Sequence, residues 1–345
     1  MFETLGFERV TPLQASVVLG LVLGVVYGML AQRSGFCLRR SLVGDWSECL
    51  PALGVWAMAL ALAIAGTQGA VAAGWVSFDA HRFLAPDLPV VSVLVGGALF
   101  GAGMVLSGGC VSRLTVLAGG GSLRAFLVLV VFAIVAHAAM KGVLAPVRST
   151  LGGMTVDTGG VAALTALPGG AVWAWCLALA AAVLALRSGA SRRHLAMAAV
   201  IGLLVPLAWV GTGFVLQDDF DPVPLQSLGF TGPTADTLFW TIAATAVPAG
   251  FGTGLAAGVV AGSAAAAVSA GEFRWISLEG PRQTGRYLAG AALMGVGGVL
   301  AGGCTVGAGL SGVSTASLAA ILALTAMVVS ARITGEVFRR GAGES

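Results

Sequence analysis

Nine long apolar runs divide the chain, centred near residues 13–32, 50–72, 89–106, 123–141, 169–187, 195–216, 237–269, 286–301 and 315–332. A helix needs roughly 20 such residues to cross the ~30 Å hydrocarbon core of a bilayer. Backbone in lipid must satisfy its own hydrogen bonds, so runs of this length read as helices. Composition agrees. Apolar residues make up 57% of the chain and charged residues 10%, and mean hydropathy is +0.96, far from the soluble globular range. The expected fold class is all-α: a polytopic integral membrane protein of about nine transmembrane helices, seated in the lipid bilayer as one membrane domain over 1–345.

Residues Met1 to Pro12 lack the basic start and small-residue cleavage pattern of a secretory signal, so the first run is expected to stay as a spanning helix. Net charge is +3 with no basic run, which excludes nucleic acid as a partner. The arginines bear instead on orientation. Arg187, Arg192 and Arg193 fall between the fifth and sixth runs, Arg274, Arg282 and Arg286 between the seventh and eighth, and Arg332, Arg339 and Arg340 after the last. With alternating helices all three groups lie on one side, which the positive-inside rule makes cytoplasmic. The acidic segment Asp218, Asp219, Asp221 then lies outside, as does the N-terminus, and the C-terminus lies inside. The run 237–269 would measure about 48 Å as a single helix at 1.5 Å per residue, so a bend is expected at Pro248–Gly254.

Three short breaks interrupt the apolar pattern, each with a cysteine: Arg33-Ser-Gly-Phe-Cys37-Leu-Arg-Arg40, Ser107-Gly-Gly-Cys110-Val-Ser-Arg113 and Ala301-Gly-Gly-Cys304-Thr-Val-Gly307. Irregular backbone at membrane depth is tolerated where protein encloses it or where it lines a cavity. The paired glycines permit a turn with positive φ and leave N–H groups unobstructed. A helix starting there would offer donors and partial positive charge to an anion, and Arg33, Arg39, Arg40 and Arg113 add positive charge nearby. Arginines near helix ends also simply snorkel. Cys49 and Cys176 sit among ordinary helix formers and read as small packing residues. No cysteine pair has Cys-x-x-Cys spacing and no His stands beside one, so no metal site and no cofactor is expected.

Gly96–Cys110 and Gly290–Cys304 align without a gap at an offset of 194, with ten of fifteen positions identical. A weaker echo sets Ser34–Leu42 against Ala270–Leu278, with Phe273 opposite Cys37. Two pseudo-repeated halves are expected, 1–141 and 195–332. The third run travels inward and the eighth outward, so the strong repeat is expected to be inverted, with half or re-entrant helices at its interface as in many transporters. His81, between Asp79 and Asp87, reads as a solvated connection. His137 and Lys141, four residues apart, read as an anchor at a helix end. The eight tryptophans read mostly as an interfacial belt.

Taken together, Gln32-Arg-Ser-Gly-Phe-Cys37, Ser107-Gly-Gly-Cys110, Gly271-Glu-Phe-Arg274 and the stretch Leu293–Gly309 ending in Gly-Gly-Cys-Thr-Val-Gly-Ala-Gly resemble the YeeE/YedE sulfur-transport family, in order and along most of the chain. That resemblance implies a multi-pass permease of the bacterial inner membrane that takes up a small sulfur-containing anion, with thiosulfate as the leading substrate, and not an enzyme. It also implies that Cys37, Cys110 and Cys304 line a central path and pass the anion along by S–H contacts with its terminal sulfur. Gly108, Gly109, Gly302, Gly303, Thr305, Arg39 and Arg113 join them as candidate substrate-binding residues. Some members work with a TusA-like cytoplasmic sulfur carrier, so a separate carrier is a candidate partner. One departure from the pattern is Arg113, where relatives have Gly-Gly-Cys-x-x-Gly at the second cysteine. No stretch resembles an ATP-binding loop, so the driving force is expected from gradients, membrane potential or consumption inside. The contrasting chemistries are a membrane thiol enzyme, which needs lowered thiol pKa values and a resolving pair within bridging distance, and an anchor for a soluble sulfurtransferase, in which the cysteines would be dispensable.

Overall fold

The computed structural model describes residues 11–343 apart from 80, 160, 219, 220 and 279; the first ten residues and Asp219 therefore lie outside the described residues. Thirteen α-helices follow one another: α1 (Pro12–Ser34), α2 (Leu38–Leu42), α3 (Trp46–Ala72), α4 (Val90–Leu106), α5 (Val111–Gly119), α6 (Leu123–Lys141), α7 (Ala145–Gly152), α8 (Val172–Arg187), α9 (Arg192–Val210), α10 (Thr231–Ile242), α11 (Phe251–Ser269), α12 (Pro281–Leu300) and α13 (Leu318–Gly343). The only described strand pairing is the two-residue ladder Asp87–Leu88 against Val156–Asp157. Among the described residues, seven segments are long and apolar enough to cross a membrane: Pro12–Leu42, α3, Val90–Gly119, α6, Arg192–Val215, α11 and Leu318–Arg340. The protein is thus an all-α, multi-pass membrane protein. The run 237–269 divides into α10 and α11, with the break over 243–250, just ahead of and overlapping the stretch where a bend was expected.

Helix starts follow local chemistry. Thr11 and Gln14 close a reciprocal capping box before Pro12, which satisfies two of the N–H groups that a helix start leaves free. Ser122 and Ser191 cap α6 and α9 by accepting from Ala125 and His194 N–H groups. Between helices, glycine sets the spacing. Gly20, Gly24 and Gly28 of α1 lie against the Phe251, Leu255 and Val259 carbonyls of α11, and Gly254, Gly258 and Gly262 lie against the carbonyls of Val17, Leu21 and Val25. A Cβ at any of the six would overlap backbone. Lipid is as apolar as the side chains it replaces, so close backbone approach of this kind drives helix association in membranes.

The glycine contacts also give the directions. Contacts climb together along α1 and α11, so these helices are parallel. Gly96 meets Leu300 and Ala301 while Gly103 meets Gly290 and Met294, so α4 and α12 are antiparallel; Gly97 and Gly101 meet α13 in ascending order, so α4 and α13 are parallel. The strong repeat is therefore carried by helices of opposite direction, as expected. The weak echo, which falls at the ends of the parallel pair α1 and α11, is not inverted.

Two ends of the bundle emerge. At one, Arg33 donates to Ser269, Leu123 N–H donates to Ile276, Arg332 lies over the Trp46 ring and Val43 packs on Gly335. At the other, Ser317 Oγ donates to the Phe83 carbonyl and Leu318 N–H to that of Ala162. Most arginines lie at the first end, which the positive-inside rule makes cytoplasmic. The opposite, outer end admits a re-entrant segment. Beyond the π-helical turn Gly211–Val215, Phe230 lies deep in the bundle against Tyr27, and α10 climbs back from it until Phe239 stacks on His137 at 3.6 Å.

Candidate functional site

Cys37, Cys110 and Cys304 converge although 267 residues separate the first from the last. Each is placed by the same local device. A helix ends, and a glycine two residues before the cysteine takes a left-handed conformation: Gly35 at φ 63°, Gly108 at 79°, Gly302 at 75°. That reverses the chain without the steric cost a side chain would add, and a new helical segment begins at or shortly after the thiol. The fourth break, in the weak echo, has Gly271 at φ 66° with Phe273 where the thiol would be.

Cys110 is the middle member. Its Sγ lies 3.2 Å from the Ser112 hydroxyl, and its side chain is within contact of both Cys37 and Thr305. Cys304 Sγ accepts from the Gly307 N–H at 3.3 Å and also faces the N–H groups of Val306 and Phe230. Cys110 and Cys304 are fully buried, Cys37 is half-buried, and all three are free thiols. The sulfurs thus form a file from the re-entrant loop on the outer side, Cys304 then Cys110, to Cys37 beside α2. Arg113 reaches across this inner end: its Nη1 donates to the Ala31 carbonyl at 3.4 Å, and its charge bears on Cys37.

Tyr27 is the residue that sequence reasoning missed. It is 1% exposed, its hydroxyl meets Ser112, and it lies within electrostatic reach of all three cysteines. Its ring packs against Phe230 at 5.4 Å and edge-on to Phe36 at 6.2 Å. One signal was available: Tyr27 is one of only two tyrosines in the chain and falls inside an apolar run, where a phenol needs a partner. Nothing local marked Phe230.

Of the other candidates, Thr305 joins the thiols. Gly109 and Gly303 back the turns, with Gly303 against Ala308 N. Arg39 does not join them. It lines a separate pocket at the cytoplasmic end, whose wall includes Gly108 of the Cys110 turn. Arg33 and Arg40 are exposed. Cys49 is buried as expected, but Cys176 is exposed and faces outward with Leu179 and Val183, because α8 covers α3 with its alanine face only. His81 is not a solvated link: its ring lies 5.0–6.1 Å from Phe78, Phe83 and Trp209. Trp56 and Trp209 are buried in the core rather than in a belt. His137 does sit near Lys141 at the helix end, with Asp236 of α10 beside both.

As a sequence the chain matches a known family: the model of the sulphur transport family covers residues 33–333. The chain belongs to the sulphur transport family. Two relatives are named thiosulfate transporter TsuA. The one from Escherichia coli K12 is 27% identical over 326 residues, covering 85% of this chain and 86% of its own. The one from Spirochaeta thermophila is 27% identical over 326 residues, covering 88% and 93%. Family membership extends over all three cysteine turns, so the geometry above belongs to the matched region.

Proposed function

We propose that this family member is a permease of the bacterial inner membrane that takes up thiosulfate, passing it from Cys304 to Cys110 to Cys37. The observation that carries the reading is the file of three free thiols held around Tyr27 by breaks in three separate membrane segments. Neutral thiols donate weak S–H hydrogen bonds, which suit the terminal sulfur of the anion. The Val306, Gly307 and Phe230 N–H groups around Cys304 suit its oxygens. Tyr27 against Phe230 closes the file toward the outer end, so entry of the anion needs the re-entrant loop to shift. The sequence halves 1–141 and 195–332 would meet at this file. A TusA-like carrier would collect sulfur at the cytoplasmic end, beside α2.

The relatives' names support both the substrate and transport as the activity. Uptake of labelled thiosulfate into proteoliposomes tests it. Cys37→Ser, Cys110→Ser and Cys304→Ser should each abolish uptake while wild-type thiols alkylate slowly. Normal uptake in all three variants, or fast alkylation with a trapped disulfide, would overturn the reading in favour of an anchor or a thiol enzyme.

A further inference from the structure

The pocket that takes Arg39 has a volume of about 290 Å³, opens at the cytoplasmic end and has Gly108 of the Cys110 turn in its wall. Three guanidinium groups face it, Arg39, Arg124 and Arg286, and its lining holds no carboxylate. Aromatic faces, not acids, hold two of these cations, Arg124 and Arg286. Arg124 lies 4.8 Å above the Tyr287 ring and donates to its hydroxyl at 2.9 Å; Arg286 lies over Tyr287 at 5.5 Å and over Phe338 at 5.8 Å. Gln283 also donates to that hydroxyl. The Nε atoms of Arg39 and Arg124 are buried and have no hydrogen-bond partner. Glu336, the acid on α13, is already engaged by Arg339 and Arg340.

Buried donors without acceptors cost free energy, and three cations around a concave space without an acid leave a field that attracts anions. Stacking of guanidinium on aromatic rings keeps the planar forks oriented for oxygen.

We propose that this pocket is a second anion subsite, an exit station that holds a divalent sulfur oxyanion after it leaves the thiol file. The inference rests on the permease reading but uses different chemistry. Guanidinium forks read charge and oxygen, so the pocket accepts sulfate and sulfite as well as thiosulfate, whereas the thiols require a terminal sulfur. Sulfate is therefore a probe of the pocket alone. Nothing is transferred covalently, and the ion leaves as it arrived.

The test is calorimetric titration of sulfate into the purified full chain in nanodiscs of zwitterionic lipid, with melting curves to confirm folding. Sulfate should bind the wild type and the Cys37→Ser/Cys110→Ser/Cys304→Ser variant alike. Arg39→Gln and Arg124→Gln should each weaken it by about tenfold or more, the scale of a charge-assisted hydrogen bond, and Arg39→Lys should restore part of the loss. Unchanged affinity in folded Arg39→Gln, or no sulfate binding by the wild type, overturns the proposal. So does displacement of sulfate by phosphatidylglycerol added to the disc, which would make the pocket a lipid headgroup site. If wild-type proteoliposomes take up no thiosulfate while arginine-dependent sulfate binding persists, the permease reading falls and the anion site stands.

Discussion

Replacing Gly297 by alanine tests whether backbone contact between α4 and α12 sets the thiol spacing. A Cβ at Gly297 would stand 2.5 Å from Phe100 N and 2.6 Å from the Gly96 carbonyl oxygen, both backbone atoms that no rotamer change can move. Ordinary contact distances are about 3.5 Å or more, so the two helices must part by roughly 1 Å. Overpacking of this size costs about 1–3 kcal/mol, and in lipid the added methyl recovers little, since burial carries no hydrophobic gain there. The same helices run into the Gly-Gly turns that present Cys110 and Thr305 to one another. Their separation therefore widens the file as it destabilises the bundle. Gly297→Ala should lower the melting temperature by several degrees and thiosulfate uptake by about tenfold, the worth of one ~1.4 kcal/mol contact. Gly69→Ala is the control: Gly69 lies in α3 with no heavy atom within 4 Å of its Cβ position, so the same change should stabilise by about 0.4–1 kcal/mol. Equal melting temperatures and equal uptake in the two variants would refute the argument that glycine contact spaces the site.

Three further outcomes are expected. Gly302→Ala meets no neighbour within 4 Å but must hold φ near 75°, so it should cost about 1–2 kcal/mol in thermal or chemical melts, with Gly302→Asn recovering part of it. Tyr27→Phe deprives Ser112 of its phenol partner and should lose about 1 kcal/mol of stability and a severalfold part of uptake; unchanged uptake would remove Tyr27 from the path. His81, in the outer loop between α3 and α4, is drawn down from 6.5 to about 4 by burial and then by Arg82. A folded-state value below the unfolded one means the unfolded chain binds the proton first as pH falls. The stability His81 contributes is complete above pH 6.5 and is lost between there and about pH 4. Melting curves across that range should show this slope, and His81→Gln should flatten it.

Much of the architecture was legible because lipid makes local sequence decisive. Each spanning helix needs its own apolar run, and each helix end near the thiols needs a residue that tolerates positive φ, so the runs and the glycine pairs that include Gly108 and Gly302 stood out before any contact was known. The strong repeat declared its inversion through the parity of the runs. His81, Trp56, Trp209 and Cys176 were misread for a common reason: polarity and position in the chain do not say which neighbour covers a side chain. His81 has polar neighbours in sequence and aromatic ones in space.

By itself, then, the sequence determined that this is a helical membrane protein, where the backbone breaks and which cysteines stand at the breaks, since these follow from the lengths of apolar runs and the steric freedom of glycine. Tertiary structure alone decided that the three thiols form one file around Tyr27, that the segment before α10 re-enters to set Phe230 against it, and that Arg39 leaves the file for a pocket shared with Arg124 and Arg286. Those are contacts between segments up to about 300 residues apart. They depend on which helix faces glycine admits to close approach, and no local pattern carries that pairing.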